Sequence, residues 1–156
     1  LQVPESVFDS ARLRMEQPTP RVALGLSLRG IAHAAADISD GLLGDLGHIL
    51  KASGVGAILE TQQVASTLSC TSNSQSQYQL DLKQQLALTL AGGDDYELCF
   101  TAPAAQREAV IAAGQSCGTA VTRIGHLTAA TSLAVVDHAG QVLPIVSQSF
   151  DHFSPP

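Results

Sequence analysis

A single domain that mixes helices with short strands is the fold class the sequence predicts, on three observations. The 156-residue chain is 45% hydrophobic and 14% charged, a globular balance at a length that suits one domain rather than two. Apolar residues at helical spacing, as over 42–50, stand beside short apolar or alternating runs at 34–38 and 96–100. Aromatic residues make up only 4% and Trp is absent, so the core falls to Leu, Ile, Val and Ala.

Residues 1–20 hold Pro4, Pro18 and Pro20 and read as a lead-in with a short helix over 6–15, ahead of one domain over 21–156. The Pro-Thr-Pro break offers Thr19 as a cap and Pro20 as the first residue of a helix reaching 28. The run 34–38 fits a buried strand. Over 41–53, Leu42, Leu43, Leu46, Ile49 and Leu50 recur on one helix face, with Lys51 near the end and Gly54 as the stop. Gly44 and Gly47 on that helix each cost about 1 kcal/mol relative to Ala; they fit either a close approach or a tolerated surface position. A second strand is expected over 55–60.

Residues 61–85 are rich in Gln and Ser and lack a period, which predicts a mobile surface segment, with a short helix over 80–90. Gly92-Gly93-Asp94-Asp95 is then a turn signal. Tyr96, Leu98 and Phe100 alternate with Glu97 and Cys99, as in a strand with one apolar face. A carboxylate such as Glu97 inside that strand needs a partner, and the two glycines would let a ligand approach the backbone. An amphipathic helix over 104–118 turns Val110 and Ile111 inward. Strands follow over 121–127, 132–136 and 141–146, the last two joined by a His138-Ala139-Gly140 turn. Near the end, Phe150 and Phe153 read as a hydrophobic tuck or as rings stacking on a flat ligand.

A formal charge of −6 and a pI near 5.1 argue against nucleic-acid or anionic-membrane partners, which call for a basic surface. Cys70, Cys99 and Cys117 are odd in number and lack CxxC spacing, so a reducing compartment, the cytoplasm, is expected. No apolar run is long enough to span a bilayer. The opening LQVPESVFDSARL has no signal-peptide pattern and begins without Met, like the interior of a longer product. No phosphate-binding P-loop, dinucleotide-binding glycine motif, HExxH or GxSxG is present. The strongest chemical lead is ADISDGLLGDLG at 36–47. Asp37, Ser39 and Asp40 gather three oxygen-bearing side chains where a helix begins, a pattern suited to Mg²⁺ and phosphate. Ser39 or Asp40 would equally serve as the helix cap, and one residue can cap while others bind.

Three motifs in order, DISDGLLGDLGHILKASGVGA at 37–57, LAGGDDYELCFT at 90–101 and FDHF at 150–153, resemble the thiamine-monophosphate kinase family. That family lies within the superfamily of aminoimidazole ribonucleotide synthetase and selenophosphate synthetase. The resemblance covers most of the chain outside 61–85 and is to the C-terminal half of such enzymes. It implies an α+β fold, a mixed β-sheet with packed helices, like the aminoimidazole ribonucleotide synthetase C-terminal domain; the element order is compatible with this without selecting it. It also implies a missing N-terminal domain that carries further Mg²⁺-binding aspartates, most nucleotide contacts and the main homodimer interface.

By the same resemblance Asp37 and Asp40 ligate Mg²⁺ and Ser39 belongs to the ATP site. Asp94, where relatives often have Glu, and Phe150, where they often have Tyr, contact the acceptor, thiamine monophosphate. Both departures bear on the strength of acceptor binding rather than on its identity. The implied reaction is direct in-line transfer of the ATP γ-phosphoryl group, giving thiamine pyrophosphate, and the isolated domain is expected to be inactive. The rivals are a superfamily enzyme acting on another acceptor, a non-catalytic ligand-binding or dimer-stabilising module, and a hydrolase using the same acidic turn.

Overall fold

The computed structural model describes residues 5–67 and 80–144. Its helices are α1 (Glu5–Glu16), α2 (Val22–Ser27), α3 (Leu42–Ser53), α4 (Thr61–Ser66), α5 (Leu82–Ala91) and α6 (Arg107–Ser116). Its strands are β1 (Ala34–Asp37), β2 (Gly56–Glu60), β3 (Leu98–Thr101), β4 (Gly125–Thr128), β5 (Leu133–Val136) and β6 (Val142–Leu143). β1 and β3 form an antiparallel ribbon with Ala34 opposite Thr101 and Asp37 opposite Leu98. The other strands form a mixed sheet in the order β4-β2-β5-β6, with β2 antiparallel to β4 and parallel to β5. Helices and mixed sheets together give the α+β class.

α3 is the central helix. Its face of Leu42, Leu43, Leu46 and Leu50 shares one core with Ala57 and Leu59 of β2, Val64 of α4, Leu90 of α5, Cys99 of β3 and Val135 of β5. Gly54 ends the helix in the left-handed conformation, with its N–H bonded to the Lys51 carbonyl, as the glycine stop predicts. A smaller core joins Leu24, Leu28 and Ala113, packed by Leu98, Phe100, Val110 and Val121. β3 therefore buries apolar side chains on both faces, Cys99 towards α3 and Leu98 and Phe100 towards α2 and α6. Alternation with a single apolar face describes a half-exposed strand, and this one is covered twice.

Other boundaries also move. The 21–28 helix starts at Val22 with Arg21, not Thr19, at its N-cap and without a side-chain cap; the Arg21 side chain reaches Glu97 instead. The 61–85 stretch opens with α4, whose Val64 and Ala65 are buried, and α5 begins behind an Asp81–Gln84 capping box; residues 68–79, with Cys70, lie outside the described residues. Ile111 is 40% exposed rather than inward, while Val110 packs on the smaller core. β4 begins only at Gly125, and described residues of the last strand end after Leu143 and Pro144. The turn into it is as expected: the Asp137 carboxylate accepts from the N–H groups of Ala139 and Gln141, and Gly140 has φ 76°.

Candidate active site

The ribbon does not stop where its strands do. Past Asp37 and ahead of Leu98, the two chains stay hydrogen-bonded. The Ile38 N–H donates to the Glu97 carbonyl (2.9 Å), Tyr96 N–H to the Ile38 carbonyl (3.2 Å), and Asp94 N–H to the Ser39 carbonyl (2.9 Å). The acidic turn 37–40 and the loop 92–97, far apart in sequence, thus lie side by side. Asp37, Ser39 and Asp94 are exposed on this pair and Asp40 is half-buried. Phe150 lies outside the described residues.

Two glycines make the approach. A Cβ on Gly93 would run into the Ser39 carbonyl oxygen, so this glycine admits the protein's own backbone, where the sequence suggested a ligand. Gly41 has φ 107° and lies 3.0 Å, at its would-be Cβ, from Ala91 Cα. It also occupies the N-cap of α3, so the cap falls on a residue without a side chain and not on Ser39 or Asp40. Neither of these two side chains is the N-cap of α3.

The turn is held from below by a residue the sequence reading passed over. Asp45, in the first turn of α3, is only 7% exposed. Its Oδ2 accepts from the N–H of Ser39 at 2.9 Å and of Asp40 at 3.2 Å. The clue is there in retrospect: Asp45 shares the apolar face of Leu42 and Ile49 at helical spacing, and a carboxylate on an apolar stripe needs a reason. The neighbouring thiol of Cys99 is pushed up to about 11, mainly by burial and further by the Asp45 charge.

The loop 94–97 is held from the other side. Asp94 (φ 60°) and Tyr96 (φ 55°) both adopt left-handed backbone, which Asp tolerates and Tyr does so at a cost. Tyr96 thus belongs to a loop rather than to the strand. Glu97 also precedes the strand, is half-exposed, and has the partners it needed. Arg21 meets it with Nε on Oε2 (2.8 Å) and Nη2 on Oε1 (2.7 Å), and Arg14 of α1 adds Nη2 on Oε1 (2.7 Å). The same Arg14 Nη2 reaches the Asp95 carbonyl at 2.9 Å. Glu97 in turn raises the Arg21 pKa, chiefly through the hydrogen bond. The Asp95 carboxyl is also raised, first by loss of solvent and then by the Glu97 charge.

Beside the ribbon an open cleft of about 380 Å³ is lined by Pro20, Val22, Gly25, Leu26, Tyr96 and Leu98, together with Asp37 and Arg21. An apolar wall next to an exposed carboxylate suits a ligand with a flat apolar part and a charged end. Among the described residues no three His, Cys, Asp or Glu side chains group closely enough to hold a metal ion, so a cation met by Asp37 and Asp40 would need further ligands from elsewhere. Mg²⁺ commonly takes one or two carboxylates and completes its shell with water and substrate phosphates, and the pair fits that use. No helix among the described residues is long and apolar enough to cross a membrane.

Comparison with known proteins gives this α+β domain a family. The chain belongs to the family described as AIR synthase related protein, C-terminal domain, which matches residues 5–138. Within that family its relatives are thiamine-monophosphate kinases. The one from Salmonella typhimurium strain LT2 is 39% identical over 140 residues, which is 90% of this chain and 41% of the relative. The crystal structure of thiamine-monophosphate kinase from Stenotrophomonas maltophilia K279a is 40% identical and superposes with a TM-score of 0.70 over 86% of this chain and 41% of that one. AaThiL, solved in complex with AMPPCP and TMP, shares the fold at 22% identity, with a TM-score of 0.64 over 98% of this chain and 43% of that one. The chain therefore spans about two fifths of the length of these proteins, and the resemblance read from its three motifs is borne out.

Proposed function

We propose that this chain is the C-terminal part of an ATP- and Mg²⁺-dependent cytoplasmic kinase that converts thiamine monophosphate to thiamine pyrophosphate. The observation that carries the proposal is the hydrogen-bonded pairing of the 37–40 turn with the 92–97 loop, which brings together the two segments that this reading assigns to donor and acceptor. The kinases named above are the supporting likeness.

In this reading an oxygen of the acceptor phosphate attacks the γ-phosphorus of ATP in line, the bond to the bridging oxygen breaks, and ADP leaves. No covalent enzyme intermediate is needed. Asp37 and Asp40 hold Mg²⁺, and Ser39 contributes to the nucleotide site. When bound, the ions offset the repulsion between two anionic substrates and the charge on the transferred group. Asp94 and Phe150 contact the acceptor, and the missing N-terminal domain supplies the remaining nucleotide contacts and the homodimer interface. The domain alone is inactive.

The test is formation of thiamine pyrophosphate from thiamine monophosphate and Mg-ATP by the full parent chain, wild type beside Asp40→Ala. Wild type is expected to turn over, and the folded variant to lose at least about 100-fold, more than outer-shell changes at metal sites. A folded, dimeric wild type that makes no product overturns the kinase reading. It leaves another acceptor or a non-catalytic module on the same fold.

A further inference from the structure

The buried carboxylate of Asp45 has no part in the proposed chemistry, yet it is one of two buried polar or charged residues among those described, with Thr61. Burying a carboxylate is costly unless hydrogen bonds compensate. Here the compensation comes from the N–H groups of Ser39 and Asp40, the two adjacent residues whose side chains the kinase reading assigns to nucleotide and metal. On the other face of the turn the Ser39 carbonyl receives the Asp94 N–H. Both peptide units flanking Ser39 are thus held from two sides, their N–H groups by Asp45 of α3 and their carbonyls by the N–H groups of Tyr96 and Asp94 in the 92–97 loop.

We infer that Asp45 is a positioning residue: it fixes the backbone of Ser39 and Asp40 so that their side chains stand ready for Mg²⁺ and nucleotide before either arrives. It acts only through the turn and touches no substrate. This rests on the role proposed for Ser39 and Asp40. What matters is an acceptor at the end of a two-bond side chain. Asn keeps an acceptor oxygen of the same reach; Ala takes the acceptor away from two partly buried N–H groups. Ser is too short to reach them.

The experiment uses the full parent chain with Asp45→Asn, Asp45→Ala and Asp45→Ser, and two readouts. The first is amide hydrogen exchange at residues 39 and 40 in protein stripped of metal. The second is Mg²⁺ affinity by calorimetry in the presence of a non-hydrolysable ATP analogue. In Asp45→Ala and Asp45→Ser, exchange at 39 and 40 is expected to rise about tenfold over any change in the amides of β2, with Mg²⁺ affinity about tenfold weaker. Asp45→Asn is expected to stay within about threefold of wild type on both. Should Asp45→Ala not fold, Asp45→Ser carries the comparison, and Asp45→Asn by itself still has a committed outcome. Exchange that rises equally throughout the chain, or Mg²⁺ affinity unchanged in the folded Ala or Ser variant, overturns the inference. So does an Asn variant as weak as these, because charge and not the acceptor would then be at work. Exchange needs no turnover, so a wild type that fails to make thiamine pyrophosphate sinks the kinase reading separately.

Discussion

Asp95 shows how a single side chain is burdened by its neighbours. Its carboxyl is pushed above the usual carboxylate range by partial loss of solvent and by Glu97, so the folded chain holds that proton to higher pH than the unfolded chain does. The folded state binds more protons in that window, and stability falls as pH rises through it. At neutral pH the cost is fully present. Asp95→Asn is therefore expected to unfold at a slightly higher temperature than wild type at pH 7, by about 0.5 kcal/mol or less as befits a surface position. The gain should vanish at a pH below the ordinary Asp range, where Asp95 is protonated in the folded and the unfolded chain alike; equal gains at the two pH values in thermal melts would contradict this account. Neither this burden nor the role of Asp45 was legible beforehand, because both depend on groups brought together by folding. Asp37, Ser39, Asp40 and Asp94 were legible as candidates because each sits in a compact motif.

The elements divide along the same line. α3 was readable almost to the residue: its apolar positions follow one period and Gly54 stops it. Covered strands and short helices were harder. β3 is packed on both sides, and α4, six residues long, is held by packing rather than by propensity. The lead-in expected over 1–20 contains α1, and Arg14 ties that helix to the 94–97 loop through Glu97 and the Asp95 carbonyl. Removing the carboxylate leaves Arg14 and Arg21 facing one another, two like charges with their common counter-ion gone. Glu97→Ala is expected to cost about 1–2 kcal/mol, more than a typical exposed pair, and to weaken acceptor binding more than nucleotide binding in the full enzyme. Chemical denaturation and separate KM measurements for acceptor and ATP would check both; equal KM changes would separate the clamp from the acceptor role proposed for Asp94.

At the scale of the whole molecule, one core rooted in α3 supports both sheets. Leu46, 4% exposed at its centre, touches a cluster drawn from six elements. Leu46→Ala should therefore cost about 2–5 kcal/mol and lower the denaturant midpoint of the entire described domain in one transition. A stability loss below about 1 kcal/mol would mean the cluster repacks easily.

The pairing of β1 with β3 also sets an order of events during synthesis. Asp37 leaves the ribosome about sixty residues before its partner Leu98, and the Ser39 carbonyl waits as long for the Asp94 N–H. Until then β1 is an unmatched edge and the acidic turn has only Asp45 beneath it. A nascent chain that stalls within the intervening stretch carries every carboxylate of the turn without the loop that pairs with it, and the pairing is complete only after residue 101 has emerged. Changes of length between the two segments would alter that delay while leaving the finished surface as it is.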